Sequence, residues 1–288
     1  DAAKNKPRAF GNRPWWAQML VLVAGVTMNM LLALVIFIAI SFGTIEMSAN
    51  DEVYGERVKD KVLMVVNASP ESPAYKAGIV PGSVLIKVIA RGASADLSNA
   101  DSLIKFITSH NDDPFTITYK NEKDVIETTT IASVYGIVPD KKAIGVSVET
   151  VGTIETSFVE AVKIGSQRTY DMTVMTLDGL STLVTSLVKG KNVIEELAGP
   201  VGIARIVSDT SEFGYKAILT LVAVLSINLA IFNILSLPAL DGGRMIIVMV
   251  ETISRKKVPH KYNLWMNAAG FLALMLLLVV VTFNDIWG

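Results

Sequence analysis

The chain has no cysteine and only two histidines, His110 and His260. The first absence removes disulfides, thiolate zinc sites and cysteine nucleophiles together, and leaves the redox compartment open. Charge is scarce as well: 18% of the 288 residues are Asp, Glu, Lys or Arg, against about 25% in ordinary soluble domains. A formal net charge of −1 gives no indication of nucleic-acid binding or of general adsorption to an anionic membrane face. The chain opens on Asp1 without a signal peptide. Its polar, basic first dozen residues lead us to expect a missing upstream segment.

Half of the residues, 51%, are hydrophobic, and they are unevenly spread. No charge occurs from Pro14 to Ile45, from Ala217 to Leu240, or from Tyr262 to Asn284. About 20 apolar residues cross a bilayer core of roughly 30 Å, so three spanning helices are predicted. The first covers about 16–41, with Trp15 and Trp16 at the interface. Buried helices of a soluble core rarely run this long without charge. Lys4, Lys6, Arg8 and Arg13 precede the first span, and Arg244, Arg255, Lys256, Lys257 and Lys261 separate the second from the third. The positive-inside rule places both basic regions in the cytoplasm. The long middle segment, about 42–215, and the terminal NDIWG then lie outside it.

Between about Val58 and Ile131 the pattern changes to short strands and turns. VLMVVN reads as a strand, AYKAG as a short helix stopped by Gly78, and IVPGSVLIKVIA as a Pro-Gly turn followed by a strand. DSLIKFITSH carries apolar residues at helical spacing with Asp101 as the expected N-cap. FTITYK and VIETTTI alternate like hairpin arms. Residues 155–190 have helical apolar spacing interrupted by Lys163, Arg168, Asp171 and Asp178, and their longest late uncharged stretch, 179–188, is too short to span. An amphipathic helix resting on the membrane or on the protein is expected there.

Polar residues recur in the second apolar run: Asn228 and Asn233, then Pro238, Asp241, Gly242, Gly243 and Arg244. A carboxylate ending such a run pairs, protonates, binds metal or caps a following helix. Asn29 in the first span reads as packing or substrate-side polarity. The insert's SPAYKAGIVPGSVLIKV resembles a PDZ domain, a fold that captures peptides by strand addition.

The stretch NILSLPALDGGR resembles the second motif of the site-2 protease family of zinc metalloproteases, closest to its bacterial RseP-type branch. The order NRPWW, AGVTMN, PDZ-like insert, AGPVGIAR, SINLAIFNILSLPALDGG and FND is similar to the family's throughout the chain. The resemblance implies a polytopic α-helical membrane protein, three spans in this chain, with an inserted α+β PDZ-like domain. Its parts would be a basic segment and first span (1–46), the PDZ-like domain (47–152), an amphipathic helical linker (153–213) and a C-terminal transmembrane pair (214–288).

It further implies regulated intramembrane proteolysis by zinc-activated water. Asp241 would be a zinc ligand, and Asn233 a catalytic donor to the oxyanion or to a substrate strand. The implied partners are the lipid bilayer and single-span substrates such as anti-sigma factors or signal-peptide remnants. The implied place is the bacterial inner membrane, with the PDZ-like domain extracytoplasmic. The family's first motif, H-E-x-x-H, which supplies two histidine ligands and the Glu base, does not occur in the chain. A truncated portion, inactive by itself, is therefore expected. The alternative is a non-catalytic, membrane-anchored PDZ protein that binds peptides or regulates a partner.

Overall fold

In the computed structural model, residues 13–69, 71–121, 124–138, 141–190, 198–212, 214–235, 240–256 and 258–287 are described. They form two compact units: Phe42–Phe158, and the chain before and after it.

The Phe42–Phe158 unit is built on a twisted antiparallel sheet. Its strands are β1 (Gly43–Ser48), β2 (Lys59–Ala68), β3 (Val84–Ala90), β4 (Ala93–Ser94), β5 (Pro114–Lys120), β6 (Ile126–Ala132) and β9 (Val146–Thr156). They run in the order β1-β9-β2-β3-β5-β6, with β4 beside β3. Strands β7 (Val134–Val138) and β8 (Lys141–Ala143) make a separate hairpin. Alternation selects the inward face: Phe115, Ile117 and Tyr119 of β5 are buried, as the period of two requires. They pack with Leu63, Val65, Val88 and Leu103 in one core. On the opposite face Thr116 and Thr118 meet Thr130 and Thr128 across the hairpin, at 3.3 and 3.0 Å.

Two short helices close this core. In α2 (Pro73–Lys76), Ser72 Oγ accepts the Tyr75 N–H at 3.2 Å, and Pro73 opens the helix without wasting a donor. Gly78 follows at φ +87°, and any side chain there would press on the Tyr119 hydroxyl. That hydroxyl donates to Glu127 Oε2 at 2.8 Å. Burial, then this hydrogen bond to Glu127, pushes its pKa up to about 12. In α3 (Ala100–Ser109) the N-cap is Asn99, whose Oδ1 accepts the Ser102 N–H at 2.8 Å. Asp101, expected as the cap, lies inside the first turn instead. The capping side chain must reach the N–H three residues on, and only Asn99 has the extended backbone for it.

The second unit is helical: α1 (Trp15–Ile40), α4 (Phe158–Val188), α5 (Pro200–Glu212), α6 (Tyr215–Ile234), α7 (Asp241–Ser254) and α8 (His260–Trp287). Among the described residues, Trp15–Ile40, Tyr215–Ile234 and Lys261–Trp287 are long and apolar enough to cross a bilayer. The chain is a membrane protein with three candidate spans and a sheet region. Helices α1 and α6 pack through Ala33, Phe37 and Ile40 against Ala223, Ile227 and Ile231. Helix α4 runs unbroken through residues 158–188 and joins this core with Met172 and Leu180. It crosses α1 at Gly165, where a Cβ would come within 2.6 Å of the Ile38 nitrogen, so only glycine permits this approach. Nearby, Arg168 donates to the buried Ser41 hydroxyl at 3.3 Å.

Candidate functional site

Asn233 lies in the last turn of α6, half-buried, just before the Leu235 N–H closes the helix on the Phe232 carbonyl at 3.1 Å. Residues 236–239 lie outside the described residues, and with them the turn expected at Pro238. The chain is described again from Leu240, which occupies the N-cap of α7 with no side-chain capping bond. Asp241 is the first helical residue, where the helix dipole favours a carboxylate. It is therefore not the N-cap.

Gly242 explains how Asp241 comes back to α6. A Cβ on it would collide with the carbonyl oxygens of Ile234 and Leu235, so the start of α7 rests directly on the end of α6. The residues that follow Asn233 and Asp241, Ile234–Leu235 and Gly242, thus lie against each other. The Asp241 carboxylate also faces α1: a Cβ on Gly25 would lie 3.9 Å from its Oδ2. Gly25 belongs to AGVTMN, and Asn29 lies one turn further on the same face of α1. Two segments far apart in sequence thereby converge on one carboxylate.

Asn228, one turn and a half before Asn233, has a different job. Its Oδ1 receives the Thr176 hydroxyl of α4 at 3.1 Å, an interhelical hydrogen bond of the kind that fixes membrane helices. His110 closes α3, with Nδ1 3.0 Å from the Phe106 carbonyl and its ring stacked on Phe106. His260 begins α8, and its side chain lies outside the described residues. Among the described residues no group of three or more His, Asp or Glu side chains could hold a metal ion. A catalytic zinc takes three protein ligands, so Asp241 falls short of a complete donor set.

A second feature lies within the Phe42–Phe158 unit. A groove of about 700 Å³ opens between α3, through Ile104, Ile107 and Thr108, and the start of β9 at Gly145–Ser147. Strand β1 pairs only with Val151–Thr156 of β9. Among the described residues, the first residues of β9 are paired by β2, along one side. β9 lies beyond the stretch read as strands from the sequence, and local pattern carries no information about which part of it a neighbour covers. Nor does any local signal reveal that Gly25 stands opposite Asp241.

The model of peptidase family M50 matches residues 2–277. The zinc metalloprotease RasP of Geobacillus kaustophilus is 33% identical, over 97% of this chain and 61% of its own length. RasP of Oceanobacillus iheyensis is 32% identical, over 97% of this chain and 62% of its own. The regulator of sigma-W protease RasP of Bacillus subtilis is 29% identical, over 97% of this chain and 61% of its own. The chain thus spans about three-fifths of the length of these relatives. With the family model covering nearly all of it, and the LDGG aspartate facing the AGVTMN helix, the chain belongs to peptidase family M50, the site-2 protease family.

Proposed function

We propose that this chain is the C-terminal part of an intramembrane zinc metalloprotease, and that Asp241 is one ligand of its metal. The observation that carries this reading is the approach of the Asp241 carboxylate to Gly25 of α1, with the start of α7 resting on the end of α6 just past Asn233. An acidic side chain there is costly without a cation or a proton. The two remaining protein ligands would be histidines of an H-E-x-x-H helix outside this chain, so the chain alone does not hydrolyse peptides. Asn233 supplies an amide that holds an unwound substrate strand or the oxyanion.

The substrates are single-span membrane proteins, anti-sigma factors or signal-peptide remnants among them, cut within the bacterial inner membrane. The Phe42–Phe158 unit, outside the cytoplasm, acts as a PDZ-like domain over residues 47–152. Its groove between α3 and β9 takes an extended peptide on the half of β9 that β1 leaves uncovered. Residues 153–213 link it to the C-terminal pair through the amphipathic α4 and α5.

In the full-length protein, Asp241→Ala is expected to lose bound zinc and to abolish cleavage of a single-span substrate, while Asn233→Ala keeps the zinc and loses cleavage. Normal zinc content and cleavage in Asp241→Ala would remove the ligand assignment. A full-length protein without zinc or cleavage, whose groove still binds peptides, would support the non-catalytic, membrane-anchored PDZ reading instead.

A further inference from the structure

Helix α8 is the barest of the three candidate spans: 11% of its apolar window is buried, against 28% in α6 and 22% in α1. No α8 residue belongs to the described core formed by α1 and α6. It packs instead on α5, and its last turn makes an unusual contact there. Asp285 accepts the Gly202 N–H on Oδ2 at 2.8 Å and the Gly199 N–H on Oδ1 at 3.2 Å. These are the free donors at the start of α5, and Pro200 between them has none to offer. Helix α5 therefore has its N-terminal cap supplied from another helix, by the residue of FND that carries the charge.

The socket is shaped for this occupant. A Cβ on Gly199 would lie 2.6 Å from Asp285 Oδ2 and 3.0 Å from Val281 Cγ1, and one on Gly202 3.0 Å from Asp285 Oδ1. Both glycines of AGPVG are thus needed for the carboxylate to approach the backbone. Val281 is buried beside them, although most of α8 is bare.

We propose that Asp285 is a latch that holds α8 on α5, and that releasing it frees the third span while the α1–α6 core stays closed. The latch is independent of the protease reading and would operate equally in a non-catalytic relative, so its test does not use cleavage. The chain has no cysteine, which allows single reporters to be placed cleanly. One reporter is Val281→Cys at the latch, and the other is Ser226→Cys, a near-isosteric change in the buried face of α6. Each is combined with Asp285→Asn or with Gly202→Ala, which crowds the socket without altering charge. Maleimide labelling is followed in detergent solution.

Labelling at position 281 is expected to rise roughly twofold to thirtyfold in both variants, the range that a lost helix cap produces, with position 226 unchanged. Unchanged labelling at 281 in both variants overturns the latch. So does a parallel rise at 226, which would mean that α8 and the core open as one body.

Discussion

The two units dispose of their apolar residues in opposite ways. In the sheet unit, Phe115, Ile117 and Tyr119 are turned into a dry core, and threonines face outward on the same strand. In the helical unit, Leu20, Met28, Val35, Leu272 and Leu276 stand exposed along helices with almost no polar face. A water-soluble protein does not display such patches. Residues of the same kind are thus inward in one unit and outward in the other, because the solvent around each differs. In lipid the outward face needs no covering, and helices associate through small residues and hydrogen bonds instead. Gly165 against Ile38 and Thr176 against Asn228 are contacts of that type.

Substitutions can break this contrast. Phe115→Ala in the sheet core, where the side chain is fully buried, is expected to cost about 3–5 kcal/mol, through lost transfer energy and a residual cavity. Chemical denaturation of the sheet unit, followed by tryptophan-independent far-UV signal, measures it. Leu276→Asp in α8 puts the charge where lipid is expected, at a cost of about 2.5–3.5 kcal/mol in membrane insertion. The same change at Ile126, equally exposed but on β6 of the sheet unit, should shift stability by no more than about 0.5 kcal/mol. Equal insertion of the Leu276→Asp chain and its parent would deny α8 a lipid surface.

Hydrogen bonds sharpen the same contrast at smaller scale. Asn99→Ala removes a helix cap in water and should cost about 1 kcal/mol. Thr176→Val removes an interhelical bond from Asn228 and should cost about 0.6 kcal/mol. Paired unfolding measurements would rank the two, and a larger loss for Thr176→Val would reverse the expected order.

Much of this was legible in the sequence because the signals are local. Uncharged runs reveal the spans, since stripping a charge of its water to place it in hydrocarbon is costly wherever the chain goes. Alternation in FTITYK and helical spacing in DSLIKFITSH reveal β5 and α3, since side chains repeat every two or 3.6 residues. The Asp101 cap was misplaced because the cap depends on the backbone angles of Asn99, and composition does not report these. The α4 segment is expected to be amphipathic; Lys163, Asp171 and Asp178 do face outward, whereas Arg168 turns in to the buried Ser41 hydroxyl. Its close crossing of α1, however, requires knowing that Ile38 lies opposite Gly165.

By itself, then, the sequence determined the apolar spans, the strands between about Val58 and Ile131, and the placing of Asn233 and Asp241 at the end of one span. It also settled the family through the LDGG segment and the order of motifs around it. Only the tertiary structure decided that Asp241 faces Gly25, that β1 pairs with Val151–Thr156 of β9, and that Asp285 caps α5. Each of these joins residues many positions apart. Periodicity and composition describe what surrounds a residue along the chain, whereas these contacts depend on which backbone is brought against it in space.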